Sequence, residues 1–228
     1  MANKTNKRMK ILELFAGSRS FSKVAEELGH ETFSVDIKAF DNIDLAIDIL
    51  DLDLHELKKE LFKKGIDNID CVWASPPCQA FSVLQIGKNW YHDHTPKTDK
   101  AKKSIEIVQK TLDIIDFLQP DYYFIENPRG KLRKLEVVKG IPRATVTYCQ
   151  YGDTRMKPTD IWTNHLSSND LFGDNKSQGW MPRPMCKNGD SCHEAAPRGA
   201  ATGTRKLKGN YLRSKVPYEL CKEILLTL

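Results

Sequence analysis

Six short runs rich in β-branched and aromatic residues alternate along this chain with stretches whose apolar residues recur at helical spacing, and that alternation leaves few architectures open. Strands are expected at residues 10–15, 32–36, 69–74, 121–126, 144–149 and 160–163. Between them, Phe21, Val24, Ala25 and Leu28 form a helical stripe that stops at Gly29, and Leu54, Leu57 and Leu61 form another that stops at Gly65. A third, Ile105, Val108, Leu112 and Ile115, stops before Pro120. A last helix opens with Pro217 as its first residue and carries Leu220, Ile224, Leu225 and Leu228. Strands and helices in this order specify an α/β domain with a mostly parallel sheet and helices on both faces. Two segments interrupt the pattern. Residues 85–103, polar and rich in Lys, His and Asp, read as a lid, and residues 164–209, rich in Pro, Gly, Ser and Asn, read as an inserted lobe. The expected organisation is a main domain over 1–163, a small irregular lobe over 164–209, and a C-terminal helix over 210–228 that returns to the main domain.

Open α/β sheets bind ligands outside the carboxyl ends of their strands, and four of the expected strands deliver chemistry there. Ile11-Leu12-Glu13-Leu14 runs into Phe15-Ala16-Gly17-Ser18, a small-residue turn that lets amide groups and a helix N-terminus approach a polar ligand. The second strand ends at Asp36, about twenty residues on, where a carboxylate can accept hydrogen bonds from both ribose hydroxyls of a nucleoside cofactor. That pairing indicates S-adenosylmethionine or a dinucleotide. The third strand, Ile69-Asp70-Cys71-Val72-Trp73-Ala74, leads into Ser75-Pro76-Pro77-Cys78-Gln79, whose rigid Pro-Pro turn sets Cys78 better for attack than for packing. The fourth, Phe124-Ile125-Glu126-Asn127-Pro128, brings Glu126 to the same edge. Cys71 and Cys221 lie within apolar patterns and read as buried structural thiols.

In this order and spacing, Phe15-x-Gly17, Pro77-Cys78-Gln79 and Glu126-Asn127 resemble the DNA cytosine-5 methyltransferase family, in a compact form like its phage and prophage members. The resemblance covers residues 10–163 and 213–228 and implies a Rossmann-like class I methyltransferase fold with S-adenosylmethionine as cofactor. It implies that Glu13, Phe15, Ala16, Gly17 and Ser18 line the methionine end, that Asp36 and Ile37 meet ribose and adenine, and that Asp48 and Ile49 cap the adenine amino group, with Pro76 beside them. Arg19 stands where the family usually has a second Gly. The implied reaction starts with the Cys78 thiolate adding to C6 of cytosine, which makes C5 nucleophilic enough to take a methyl group. Glu126, kept protonated by desolvation, is expected to hydrogen-bond N3 as negative charge develops there. Arg155 and Lys157, which follow Tyr151-Gly152, resemble the family's Arg-x-Arg motif and are expected to contact the base carbonyl and the adjoining phosphate. They come two residues sooner than the usual arginines, and Pro128 replaces the Val of the usual Glu-Asn-Val. Arg213-Ser214-Lys215-Val216-Pro217 resembles the family's final motif, which places Ser214 or Lys215 near the cofactor carboxylate.

A base stacked in a duplex must be flipped out and covered, a task that falls to Gln79, Phe81, Ser82 and the 85–103 segment with Lys88, Trp90 and Lys97. The chain's net charge is only +5, yet nine Lys or Arg between Lys176 and Lys215 face only Asp190 and Glu194. A basic window on an otherwise near-neutral chain suits phosphate contacts with double-stranded DNA, with Arg183, Arg198, Arg205 and Lys206 as candidates. Within it, Cys186-x5-Cys192-His193 and Cys149 form a candidate zinc cluster. No apolar stretch approaches membrane-spanning length, and the polar, basic start has no apolar core behind it. A monomer with reduced thiols, no membrane partner and a cytoplasmic location in a bacterial or phage-infected cell is the expectation. Two other readings stay open: a tRNA cytosine-5 methyltransferase, which shares Pro-Pro-Cys-Gln, and a catalytically idle nucleic-acid-binding protein on the same fold, against which Cys78 and Glu126 argue.

Overall fold

The computed structural model describes residues 7–167, 179–194 and 210–228. Its strands are β1 (Lys10–Leu14), β2 (Glu31–Asp36), β3 (Leu45–Ala46), β4 (Cys71–Ala74), β5 (Tyr122–Pro128), β6 (Arg143–Thr147) and β7 (Pro158–Thr163), joined in one sheet of order β3-β2-β1-β4-β5-β7-β6. Pairings from β3 through β5 are parallel, and β7 runs antiparallel between β5 and β6. The expected mostly parallel sheet is thus found, with a reversed edge. The reversal fits the connection between β6 and β7, residues 148–157, which is shorter than the crossover of a dozen or more residues that parallel neighbours need. The two-residue β3 is too short to leave a pattern in the sequence.

The helices are α1 (Ser20–Glu27), α2 (Leu54–Lys63), α3 (Ile86–Asn89), α4 (Asp99–Leu118), α5 (Asn210–Ser214) and α6 (Tyr218–Leu225). Central strands are apolar on both faces because both are covered. In β4, Val72 and Ala74 pack with α2 and α4, while Cys71 and Trp73 point to the opposite core, where α1 and α6 lie. Trp73 stacks on Phe21 of α1 at 4.5 Å between ring centroids. Each fully buried Leu or Phe of these two layers contributes about 1.5–3 kcal/mol, so the sheet edge that carries the site rests on a rigid base.

Two expected boundaries move. Residues 99–103 belong to α4, not to a lid: Thr98 accepts the Ala101 N–H with its side chain at 3.3 Å, and Asp99 sits in the first turn. The lysines there occupy exposed faces of a helix, which their polarity alone disguised as loop. Pro217 is the N-cap of α6, one position ahead of its expected place. Within the described parts of the 164–209 segment, Trp180 N–H donates to His165 O at 2.8 Å and the Trp180 carbonyl accepts from Ser167 N–H at 2.9 Å. Trp180 is buried in the α6 core, edge-on to Phe124. Among the described residues no helix is long and apolar enough to cross a membrane.

Candidate active site

The turn after β1 takes left-handed backbone at Phe15 (φ 58°), Gly17 (φ 46°) and Arg19 (φ 53°). It is tied to the end of β2, because Asp36 accepts from Gly17 N–H through Oδ2 and from Lys38 N–H through Oδ1, both at 2.9 Å. Arg19, in place of the glycine usual at that position, holds a conformation that costs a side-chain-bearing residue about 1–2 kcal/mol. Its guanidinium offsets this by pairing with Glu26 and donating to Thr32 Oγ1 at 3.2 Å. Glu13 is buried and turned toward α1, where its carboxylate accepts from the Ser22 N–H at 2.8 Å and the Phe21 N–H at 3.3 Å. Burial raises its pKa against those bonds. The structure therefore commits Glu13 to the helix start.

A cleft of about 450 Å³ opens at the carboxyl ends of β1 and β2, with Phe15, Val35, Ile37, Ile47, Ile49 and Ile107 as apolar walls and Asp36 and Asp48 as carboxylates. Pro77 and Lys103 also line it, and Lys103 Nζ donates to Asp48 Oδ2 at 3.2 Å. Sequence reasoning missed Lys103 because it had assigned the first turn of α4 to the lid. Apolar walls with carboxylates at the rim fit the flat base and ribose of an adenosine group. Ser18 and Ser20 share a 2.8 Å hydroxyl contact, and Ser20 Oγ accepts the Val216 N–H at 3.3 Å, which brings the C-terminal motif to the start of α1. Ser214 caps Tyr211 O at 2.9 Å, and Lys215 lies over the Tyr211 ring.

Beyond β4, Pro76 is buried and its carbonyl accepts from Asn127 Nδ2 at 2.9 Å, so β5 fixes the loop that carries Cys78. The N–H groups of Phe81 and Ser82 both donate to Cys78 O at 3.0 Å, closing a tight turn behind the thiol. Trp90, expected on the lid surface, is only 3% exposed: it stacks on Phe81 and donates Nε1–H to Ala80 O at 2.9 Å. A side chain with so large an apolar area packs under the loop when a backbone acceptor is within reach of its N–H. Gln79 and Lys88 remain exposed and Ser82 half-buried. Val83 and Leu84, which sequence reasoning passed over, are 68% and 63% exposed beside them. Two adjacent aliphatic residues in a polar segment were the available signal.

Gly130 lets the chain after β5 press on this loop, for a Cβ there would lie 2.3 Å from Phe81 O. Gly130→Ala is expected to destabilise the protein by about 1–3 kcal/mol, as overpacking does, with the damage centred on the Cys78 loop. Thermal unfolding checks it; an unchanged Tm would show that the two segments can part freely.

Glu126, 4% exposed, accepts from Tyr148 O–H at 2.8 Å and lies 3.8 Å from Lys157 Nζ. Tyr148 is fully buried, and burial together with Glu126 holds its phenol well above the usual range. Lys157 Nζ sits 4.3 Å from the Tyr148 ring centroid and donates to Arg213 O at 3.3 Å. Arg155 forks onto Asp153 and donates to the same carbonyl at 3.0 Å. Asp153 is only two residues away and captures the guanidinium, so Lys157 is the cation that reaches Glu126. Burial pushes the Cys78 thiol up, Glu126 adds to this, and Lys157 opposes it. Arg183, expected on phosphate, is held by Glu223 at 2.6 Å and Gln150 O at 2.7 Å, across the Tyr151 ring. Arg198, Arg205 and Lys206 lie outside the described residues. Cys149, Cys186, Cys192 and His193 come together, with their ligand atoms all within 4.8 Å of one another.

A seven-stranded, mostly parallel sheet with an antiparallel strand inserted near one edge, and a cleft at its carboxyl end, defines a Rossmann-like methyltransferase fold. The same fold is found in a crystal structure described as a DNA modification methyltransferase encoded within a prophage of E. coli, at TM-score 0.53 and 18% identity. That match covers 78% of this chain and 52% of the other, so the chain spans about half the length of that relative. The family model for C-5 cytosine-specific DNA methylase matches residues 9–139, and the chain belongs to that family. It is also 30% identical to a Frog virus 3 (isolate Goorha) protein named "Probable DNA (cytosine-5)-methyltransferase", over 95% of this chain and 99% of the viral protein.

Proposed function

We propose that this protein methylates C5 of cytosine in double-stranded DNA, with Cys78 as nucleophile, Glu126 as the acid at N3, and S-adenosylmethionine held in the cleft beside Asp36 and Asp48. The observation that carries the reading is that the neighbouring strands β4 and β5 bring the Cys78 loop and Glu126 to one sheet edge, with Lys157 Nζ 3.8 Å from Glu126. The cofactor supplies the methyl group when bound. Cys78 forms the bond to C6, and the ring electrons move to C5. Glu126 donates its proton toward N3, so the negative charge is neutralised where it develops. Tyr148 orients the carboxyl, and Lys157 favours the thiolate. After transfer, the C5 proton leaves to solvent, the C6–S bond breaks with its electron pair on the Cys78 sulfur, and N3 returns its proton to Glu126, which restores the aromatic ring and both side chains. Gln79, Ser82 and Lys88 face the nucleic acid, and Val83 and Leu84 are suited to fill the stack left by a flipped base. The 164–209 segment, with its basic residues, serves as a recognition lobe.

The test is nucleoside mass spectrometry of DNA and RNA incubated with protein and S-adenosylmethionine. 5-Methylcytosine in DNA supports the reading; 5-methylcytosine in RNA alone moves the activity to RNA, and no product in either leaves a binding protein. The pH dependence is a second expectation. Because the thiol is raised and the thiolate is the reactive form, the single-turnover rate should climb as pH rises above neutrality. Lys157→Ala removes the charge that lowers the thiol pKa and should shift the rising limb to higher pH, whereas Lys157→Arg should keep it near the wild-type position. A limb that stays put in Lys157→Ala would detach Lys157 from Cys78.

A further inference from the structure

We propose that Cys149, Cys186, Cys192 and His193 bind one structural zinc ion, which fastens the 186–194 loop to the turn that positions Tyr148 on Glu126. The four donors come from two distant parts of the chain. Cys149 lies in the short helical turn Tyr148–Tyr151, and the others lie on a loop that reaches it across the sheet edge. All four donor atoms lie within 4.8 Å of one another, and three of their six spacings are those of a tetrahedral zinc site. With Zn–S near 2.3 Å and Zn–N near 2.0 Å, sulfur pairs should be about 3.8 Å apart and sulfur–nitrogen pairs about 3.5 Å. Cys149 and Cys192 sulfurs are 3.7 Å apart, and His193 Nδ1 is 3.6 Å from Cys186 Sγ and 3.5 Å from Cys192 Sγ. The Cys149–Cys186 edge is shorter, at 3.1 Å, yet well beyond a covalent S–S bond.

The backbone around the ligands is built to hold them. Cys186 N–H donates to Thr147 Oγ1 at 3.1 Å, and Glu194 N–H donates to Thr154 O at 2.8 Å, so both ends of the loop are anchored to the Tyr148 turn. Between them, Asp190 accepts the Lys187 N–H at 2.6 Å, and Gly189, at φ 96°, closes a tight turn. Gln150 Nε2 reaches Cys192 Sγ at 3.5 Å, an outer hydrogen bond of the kind that steadies a ligating thiolate. Three sulfurs and one imidazole form a closed, four-donor set of soft and borderline character, which suits zinc and leaves no position for a substrate. Binding requires each thiol to give up its proton to solvent, and nothing is oxidised or reduced. The loop contributes little apolar core of its own beyond Cys186, so a metal cross-link supplies what packing does not. Because Tyr148 precedes Cys149 and bonds Glu126, the same cross-link holds the carboxyl of the proposed reaction.

The test is elemental analysis of the full-length protein, expressed without an affinity resin that carries metal, alongside replacement by Co²⁺. About one zinc per chain is expected, with Co²⁺ giving the intense visible absorption and thiolate charge-transfer bands of a tetrahedral sulfur site. Cys192→Ser and His193→Ala should each lower the zinc content and the melting temperature, whereas Cys78→Ala should keep full zinc. That last variant separates this proposal from the reading of Cys78, since metal content is measured without methylation. Wild-type protein without stoichiometric zinc and with these thiols open to a thiol reagent would overturn the proposal. So would a Cys149–Cys186 disulfide found in unreduced peptides.

Discussion

Cys78→Ala is expected to lower methyl transfer by on the order of 10⁴-fold or more while leaving fold and cofactor affinity near wild type. Without addition at C6, cytosine C5 has no electron pair to offer, so the alanine variant lacks the first step and not merely its best geometry. The fold should survive because Cys78 sits on a loop held by other groups: Asn127 on Pro76 O, and the amides of Phe81 and Ser82 on Cys78 O. None of these uses the side chain. Stability should change by less than about 1 kcal/mol, as for substitutions away from the core. Single-turnover methylation of duplex DNA, with circular dichroism and cofactor titration as controls, measures the effect. A variant within about tenfold of wild type would exclude Cys78 as the nucleophile.

Glu126→Gln should cost about 10²–10⁴-fold, the range typical of losing a positioned acid. Glutamine preserves shape and can still accept from Tyr148 O–H, so the 2.8 Å contact that orients residue 126 is retained. What it loses is the transferable proton. Tyr148→Phe is the companion variant: it keeps the acid and removes only the orienting bond, worth about 0.5–1.5 kcal/mol, so its rate should fall by no more than about tenfold. The ordering of the two, with Glu126→Gln much the slower, is the critical result. If Tyr148→Phe were as impaired as Glu126→Gln, the phenol itself would be a proton donor to the base.

Most of the architecture was legible in the sequence because it is written in short periods. Short β-branched and aromatic runs and helical stripes reported six strands and four helices, and motifs at strand ends reported Asp36, Cys78 and Glu126. These features are local: a β-strand or an amphipathic helix announces itself through neighbours a few positions away. The start of α4 escaped because exposed lysines look alike on a loop and on the outside of a helix. Arg155 escaped because its partner choice depends on where Asp153 and Arg213 O end up.

The sequence by itself determined an α/β methyltransferase-like chain and which chemical groups lie at strand ends. Only the tertiary structure decided how those groups are paired. It turned Glu13 onto the start of α1, put Lys157 beside Glu126, and buried Trp90 beneath the Cys78 loop. The reason is physical: such pairings are made across large sequence separations. They depend on the order in which strands enter the sheet and on the packing that closes the loops between them, and neither leaves a mark in the local pattern of residues.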